Sequence, residues 1–192
     1  MNKKIWNAKG KQQSDEIVSF LAAEDIKLDK CIFIYDIDAT SAHARGLSSI
    51  GIIKKSELAK IIKTLNELKQ KFVDGSFKLT NKYEDCHSAI EFYLTKKLGD
   101  IGKKVHTGRS RNDQVLVAMR LFAKQNLIDL KKENKLVAKT FIKLAKRYEN
   151  DSMPGYTHLQ RAMPSSWGLW FSAHAESFID NVDLINSTID WI

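Results

Sequence analysis

Apolar residues recur every three or four positions along almost the whole chain. The longest run, Ala123, Leu127, Leu130, Asn134, Val137, Phe141, Leu144 and Tyr148, alternates steps of four and three. That spacing keeps one face of a 3.6-residue helix apolar over many turns, as the seam of a long helix packed in a bundle requires, so these positions are expected in the core. A strand cannot use it, because its side chains change faces at every residue. Only two prolines and nine glycines punctuate 192 residues, too few for the closely spaced turns of an all-β chain. The expected fold class is therefore all-α: an amino-terminal helical domain, 1–106, followed by a long-helix bundle domain, 107–192, of which the chain holds only a part.

Start and stop signals divide the rest. Ser14 or Asp15 is placed to cap a first helix running toward Glu24, and Asp36 to Ile50 reads as a second, closed by Gly51. Ser56 is placed to cap a third, whose Leu58, Ile61, Ile62, Leu65 and Leu68 share a face before the Asp74-Gly75 stop. Tyr83 to Leu98 forms another, ended by Gly99. Beyond the long seam, NDSMPGYTH breaks the pattern, and Trp167, Phe171, His174, Phe178, Val182, Ile185 and Ile189 then carry a similar rhythm to the chain end. That end, Asp190-Trp191-Ile192, has none of the glycine, polar cap or cationic turn that usually closes a helix, so the sequence is expected to be cut short there.

Composition narrows the function classes. A hydrophobic share of 43% is enough for a real core. Cys31 and Cys86 lie far apart, match no metal-ligand spacing and are too few for a disulfide framework, so a reducing cytoplasm is expected. The opening MNKKIWNAKGKQQSDE carries no signal-peptide run, and no segment reaches the roughly 18 apolar residues of a membrane span, so no membrane partner is expected. A net charge of +8 raises the question of nucleic acid. The lysines, however, stand singly or in pairs such as Lys54-Lys55, Lys96-Lys97, Lys103-Lys104 and Lys131-Lys132, with no aromatic residues interleaved as a stacking platform. A solvated lysine-rich surface is expected, without a nucleic-acid partner.

Two polar islands interrupt the helical pattern. In HTGRSRNDQ, 106–114, Thr107, Ser110 and Asn112 offer short polar side chains, Gly108 allows close backbone approach, and Arg109 and Arg111 add fixed positive charge. At a helix N-terminus such a stretch suits an anion, carboxylate or phosphate, because free N–H groups and the helix dipole add to the arginines. A capping loop whose arginines pair with neighbouring carboxylates fits the same residues. In MPGYTHLQRAMP, Tyr156, Thr157, His158 and Gln160 lie between Pro154 and Pro164, so the segment is stiff and cannot simply continue a helix. His158 beside a hydroxyl and an amide on a constrained turn suits general acid or base chemistry, although a lone histidine is more often a satisfied polar residue. A smaller cluster, YEDCHSA, puts Glu84, Asp85 and His87 at a helix start, where an acidic N-cap is the simpler reading.

HTGRSRNDQ together with PGYTHLQRAMP resembles the first two signature regions of the argininosuccinate lyase family, within the fumarase/aspartase superfamily of helical lyases. DIDATSAHARGL, 36–47, and EDCHSAIE, 84–91, resemble the corresponding upstream segments, so the likeness covers nearly the whole chain. It departs at the amino terminus, where the family's Trp-Gly-Gly-Arg-Phe is here Trp6-Asn7-Ala8-Lys9-Gly10 and a substrate-holding serine aligns with Asp25. It also lacks the third signature, Gly-Ser-Ser-x-Met-Pro-x-Lys-x-Asn, whose serine is regarded as the base. The 192 residues are therefore expected to be inactive alone.

The resemblance implies a bundle of the fumarase/aspartase type and β-elimination of argininosuccinate to arginine and fumarate, a step of arginine biosynthesis. Its intermediate is a carbanion delocalised into a carboxylate, which preorganised donors stabilise. On this reading Ser110, Arg111, Asn112, Thr157 and Gln160 hold substrate and His158 is the acid for the departing nitrogen. Asp85 either meets a cationic part of the substrate or orients Arg111 or His87. Neither cofactor nor metal is implied, and the homo-oligomer is a tetramer whose sites draw on three chains. The alternatives are another lyase of the superfamily, a crystallin-like relative without activity, and a basic helical module that binds nucleic acid.

Overall fold

In a computed structural model the chain is described at residue 20 and over residues 24–80 and 82–192. Its helices are α1 (Asp25–Leu28), α2 (Phe33–Ser49), α3 (Lys55–Val73), α4 (Cys86–Leu98), α5 (Asp100–Lys103), α6 (Arg111–Arg147) and α7 (Trp167–Trp191), with 3-10 turns at Asp29–Cys31 and Lys104–His106. Between α6 and α7 lie two antiparallel strands, β1 (Ser152–Thr157) and β2 (Gln160–Ser166). The fold is helical, as the apolar period requires, with this hairpin as the departure from all-α among the described residues. The helix expected from Ser14 or Asp15 and the Trp6–Gly10 segment lie outside the described residues.

Two compact units divide the chain, Met1–Phe122 and Ala123–Ile192. The sequence-based division at 106 precedes this one by the first turns of α6. Gln114 and Ala118 on those turns are buried, and Ala118 belongs to the amino-terminal core, so that stretch packs with the first unit.

In the first unit α2, α3 and α4 enclose Phe33, Ile37, Ile61, Leu65, Leu68, Ile90 and Leu94, all sealed from solvent. Phe33 anchors the aromatic part of this core, its ring 4.4 Å from Phe72 and 5.6 Å from Phe77. The cap of helix α3 is Lys54, two residues before the expected Ser56. The Lys54 N–H donates to Glu57 Oε2 at 2.9 Å, and a carboxylate returning from the first turn does the capping that a serine was expected to do. Asp85 caps α4, its Oδ1 accepting the Ser88 N–H at 2.6 Å, and the helix accordingly starts at Cys86 and not Tyr83.

In the second unit the rest of α6 and α7 meet through Phe141, whose ring lies 6.1 Å from Phe171, 5.5 Å from His174 and 5.7 Å from Phe178. The full burial expected of the seam is not reached: Ala138, Ala175, Val182 and Ile185 are buried, Phe141 and Leu144 are half-buried, and Leu130 is 50% exposed. Gly168 lets the start of α7 come against the end of α6. A Cβ there would stand 2.6 Å from Glu149 Cα, and the Gly168 N–H donates to the Tyr148 carbonyl at 3.0 Å.

Candidate active site

The TGRSRND stretch forms the turn into α6. Gly108 has φ +67°, which a glycine adopts without strain, and its place in the turn comes from this dihedral, since a Cβ there would meet nothing. The next turn is capped reciprocally: the Ser110 N–H donates to Asp113 Oδ2 at 2.7 Å, and Ser110 Oγ accepts the Asp113 N–H at 3.4 Å. The Ser110 hydrogen bonds hold the Asp113 carboxyl below its usual range. Asn112 is exposed on the first turn of α6.

Arg111 points back at α4. Its Nε lies 3.3 Å from Asp85 Oδ2, Nη1 donates to Glu91 Oε1 at 3.2 Å and to Gln114 Oε1 at 2.9 Å, and Nη2 donates to Ser88 Oγ at 3.2 Å. A guanidinium held on three edges has one orientation, and the two carboxylates offset its charge. Asp85 thus meets both the α4 backbone and Arg111. His106 Nδ1 stands 2.9 Å from the same Glu91 oxygen, tying the preceding 3-10 turn to α4.

Arg109 takes the other direction, toward α2. Nη1 donates to Thr40 Oγ1 at 3.1 Å, and Thr40 Oγ1 donates to Asp36 Oδ1 at 3.3 Å. Asp36 Oδ2 lies 2.6 Å from His87 Nδ1, with both side chains buried. Burial pulls the Arg109 guanidinium below its ordinary range, partly offset by the Asp36 and Glu91 charges. Arg111 is therefore paired with carboxylates of α4, as in the capping-loop reading, whereas Arg109 is anchored through the Thr40 hydroxyl, its Nε and Nη2 buried without a hydrogen-bond partner among the described residues, and Asn112 is left exposed.

Sequence reasoning did not single out Asp36, Thr40, Ser88, Glu91 or Gln114 as parts of this arrangement. The signal was present for some: Asp85, Ser88 and Glu91 are spaced by three, and Asp36 and Thr40 by four, so each set shares a helix face.

The second island belongs to the other unit. Thr157 pairs with Gln160 across the hairpin, and His158 and Leu159 form its two-residue tip with φ of 49° and 63°. Two left-handed residues in succession are the geometry of a tight hairpin turn that Asn-Gly usually fills, so His158 and Leu159 occupy a backbone that disfavours them. Pro154 stands opposite Pro164, and the register shifts between Pro154 and Tyr156. The stiff turn expected between the prolines is thus the tip of a hairpin, with Thr157, His158 and Gln160 exposed.

A mostly helical chain with an N-terminal turn built on TGRSRND and a hairpin carrying Thr-His defines a class. The chain belongs to the lyase family, whose model matches residues 10–190. Among individual relatives, it is 48% identical to the argininosuccinate lyase of Xylella fastidiosa (strain Temecula1 / ATCC 700964) over 177 residues, 92% of this chain and 40% of that protein. It is 44% identical to that of Xanthomonas oryzae pv. oryzae (strain PXO99A) over 192 residues, 100% of this chain and 44% of that protein. The chain thus spans well under half the length of these relatives.

Solved structures share its fold: EDDS lyase in complex with formate matches with a TM-score of 0.72 at 24% identity, over 93% of this chain and 35% of that one. A fumarate lyase:delta crystallin from Brucella melitensis matches with a TM-score of 0.70 at 15% identity, over 86% of this chain and 41% of that one.

Proposed function

We propose that these residues form the amino-terminal share of an argininosuccinate lyase, which eliminates fumarate from argininosuccinate and releases arginine. The observation that carries this reading is the turn into α6, where both arginines are tied down beneath an exposed Asn112, alongside 44–48% identity to enzymes of that name. Rigid donors at the start of a long helix lower the cost of the negative charge that grows on a substrate carboxylate during proton abstraction. Asn112, Ser110, Thr157 and Gln160 bind substrate in this scheme. Arg111 supports the turn and adds positive charge, Asp85 orients Arg111, and His158 gives a proton to the leaving nitrogen. The reaction is that of cytoplasmic arginine biosynthesis, and the enzyme is a homotetramer closed around α6 and α7.

The test is a chimera in which residues 1–192 replace the matching share of the Xylella fastidiosa enzyme. It should release fumarate, followed by ultraviolet absorbance, while the 192 residues alone release none, since they lack the third signature. Within the chimera His158→Asn should lower kcat by about 100-fold and leave KM within a few-fold, because an acid acts in the transition state. Asparagine also suits the left-handed tip, so the hairpin should survive the change. A folded chimera without turnover, or a variant retaining kcat within about threefold, overturns the reading.

A further inference from the structure

Beneath the turn that holds Arg111 lies a group of side chains that plain core packing does not call for. Asp36 of α2 and Cys86 and His87 of α4 bring a carboxylate oxygen, a thiol sulfur and an imidazole nitrogen within 4.8 Å of one another. All three residues are sealed from solvent, at 0%, 0% and 1% exposure. We propose that Asp36, Cys86 and His87 form a binding site for a divalent cation of the zinc or cobalt class, clamping α2 to the first turn of α4.

The donor set is the first argument. One sulfur, one nitrogen and one oxygen suit a borderline-soft cation, whereas calcium and magnesium take oxygen alone. Distance is the second. Sulfur at about 2.3 Å and nitrogen at about 2.0 Å from a tetrahedral zinc stand roughly 3.5 Å apart. Cys86 Sγ and His87 Nδ1 are 3.6 Å apart. The Asp36 Oδ2 to His87 Nδ1 separation of 2.6 Å is a direct hydrogen bond and must widen to admit the ion. By the same tetrahedral arithmetic the widening is about 0.7 Å, within the reach of a side-chain torsion.

Charge is the third argument. A thiolate and a carboxylate match the charge of a doubly charged cation, and neutral imidazole adds nothing, so the ion and its three ligands sum to zero charge. The proton balance closes simply. The Cys86 thiol gives up its proton to solvent as sulfur bonds the cation, the His87 proton moves from Nδ1 to Nε2, and Asp36 exchanges its hydrogen bond for a bond to the ion.

The surroundings hold the donors in place. Asp29 Oδ2 accepts the Cys86 N–H at 2.8 Å and so fixes the turn that carries the sulfur. Thr40 occupies Asp36 Oδ1 and leaves Oδ2 to face the imidazole. Such hydrogen bonds to the ligand groups and their backbone are what orient a metal site.

Cobalt is the probe, on a Cys31→Ser background so that any sulfur ligation comes from Cys86. The chain is refolded with cobalt chloride, since the cluster is closed to solvent. The expected result is one cobalt per chain with a thiolate-to-cobalt charge-transfer band and intense visible bands, all abolished by excess zinc. Cys86→Ala, which keeps the Asp36–His87 pair, should lose the charge-transfer band and weaken binding at least about tenfold. His158→Ala should bind as its parent does. Should Cys86→Ala fail to fold, alkylation of the unsubstituted chain, which keeps Cys31, decides: zinc should slow reaction at Cys86 while exposed Cys31 reacts as before. A folded chain without the charge-transfer band, undiminished binding in Cys86→Ala, or equal alkylation with and without zinc overturns the proposal.

Discussion

Glu67 shows how a single side chain on α3 acquires a pH dependence. Its Oε1 accepts from Lys71 Nζ at 2.7 Å, the Tyr93 hydroxyl at 2.9 Å and Lys97 Nζ at 3.4 Å. The Lys71 hydrogen bond contributes most to bringing its carboxyl down to about 2, against 4.5 for an unperturbed glutamate. A carboxylate depressed on folding adds stability above the unfolded value, and that stability is lost as pH falls through 4.5 toward 2. Glu67→Gln should therefore lower the urea midpoint at pH 7, with the gap to the parent narrowing steadily through that acid range. A gap that stays constant with pH would sink the assignment. None of these partners is local except Lys71 at i+4. Tyr93 and Lys97 reach Glu67 only because α4 packs on α3, so the sequence pattern gave no hint of it. The same limit explains Arg111: its place in the motif was legible, but its partners on α4 required the packed helices.

At the level of elements, Gly168 marks where the long helices close on each other. Alanine there would bring a methyl group against backbone, 2.6 Å from Glu149 Cα and 3.0 Å from the Ala145 carbonyl, and backbone cannot swing aside as a lysine tip can. Gly168→Ala should cost about 1–3 kcal/mol in urea unfolding, in spite of alanine's better helix propensity. A neutral or stabilising result would show that α7 does not start against α6 in this way.

Helix bodies were readable because their apolar faces repeat: Ile61, Leu65 and Leu68 are buried as their spacing predicts. Helix starts were less so, since at Lys54 a returning Glu57 replaces the expected serine cap. The hairpin was not read as strands because its residues are mostly exposed, with no buried face to impose an alternation.

The second unit as a whole exposes a broad apolar surface along its helices. Leu130 is 50% exposed, Trp170 43%, Leu184 67% and Trp191 82%. Large apolar side chains left this open suit contact with other chains, and in the proposed tetramer copies of the same helices cover them. Sedimentation at micromolar concentration should give a dimer or tetramer. Leu130→Lys should dissociate it while leaving helicity intact, since Leu130 is half in solvent within one chain. Phe141→Lys should instead unfold the unit, by about 3 kcal/mol or more, because it places a charge among Phe171, His174 and Phe178. A monodisperse monomer of the parent chain would show that the surface needs no cover.

Period, punctuation and motif, all local properties, were determined by the sequence itself: the helical class, the long helix from the seam, the stop at Gly99, the cap at Asp85 and the turn carrying TGRSRND. Which distant groups meet was decided only in three dimensions. Cys86 matched no ligand spacing along the chain, yet α2 brings Asp36, fifty residues away in sequence, to 2.6 Å from its neighbour His87. Arg109 likewise found Thr40 across 69 positions. The physical reason is that helix formation follows short-range side-chain spacing, whereas the partners of a buried polar group are set by which helix faces the core brings together.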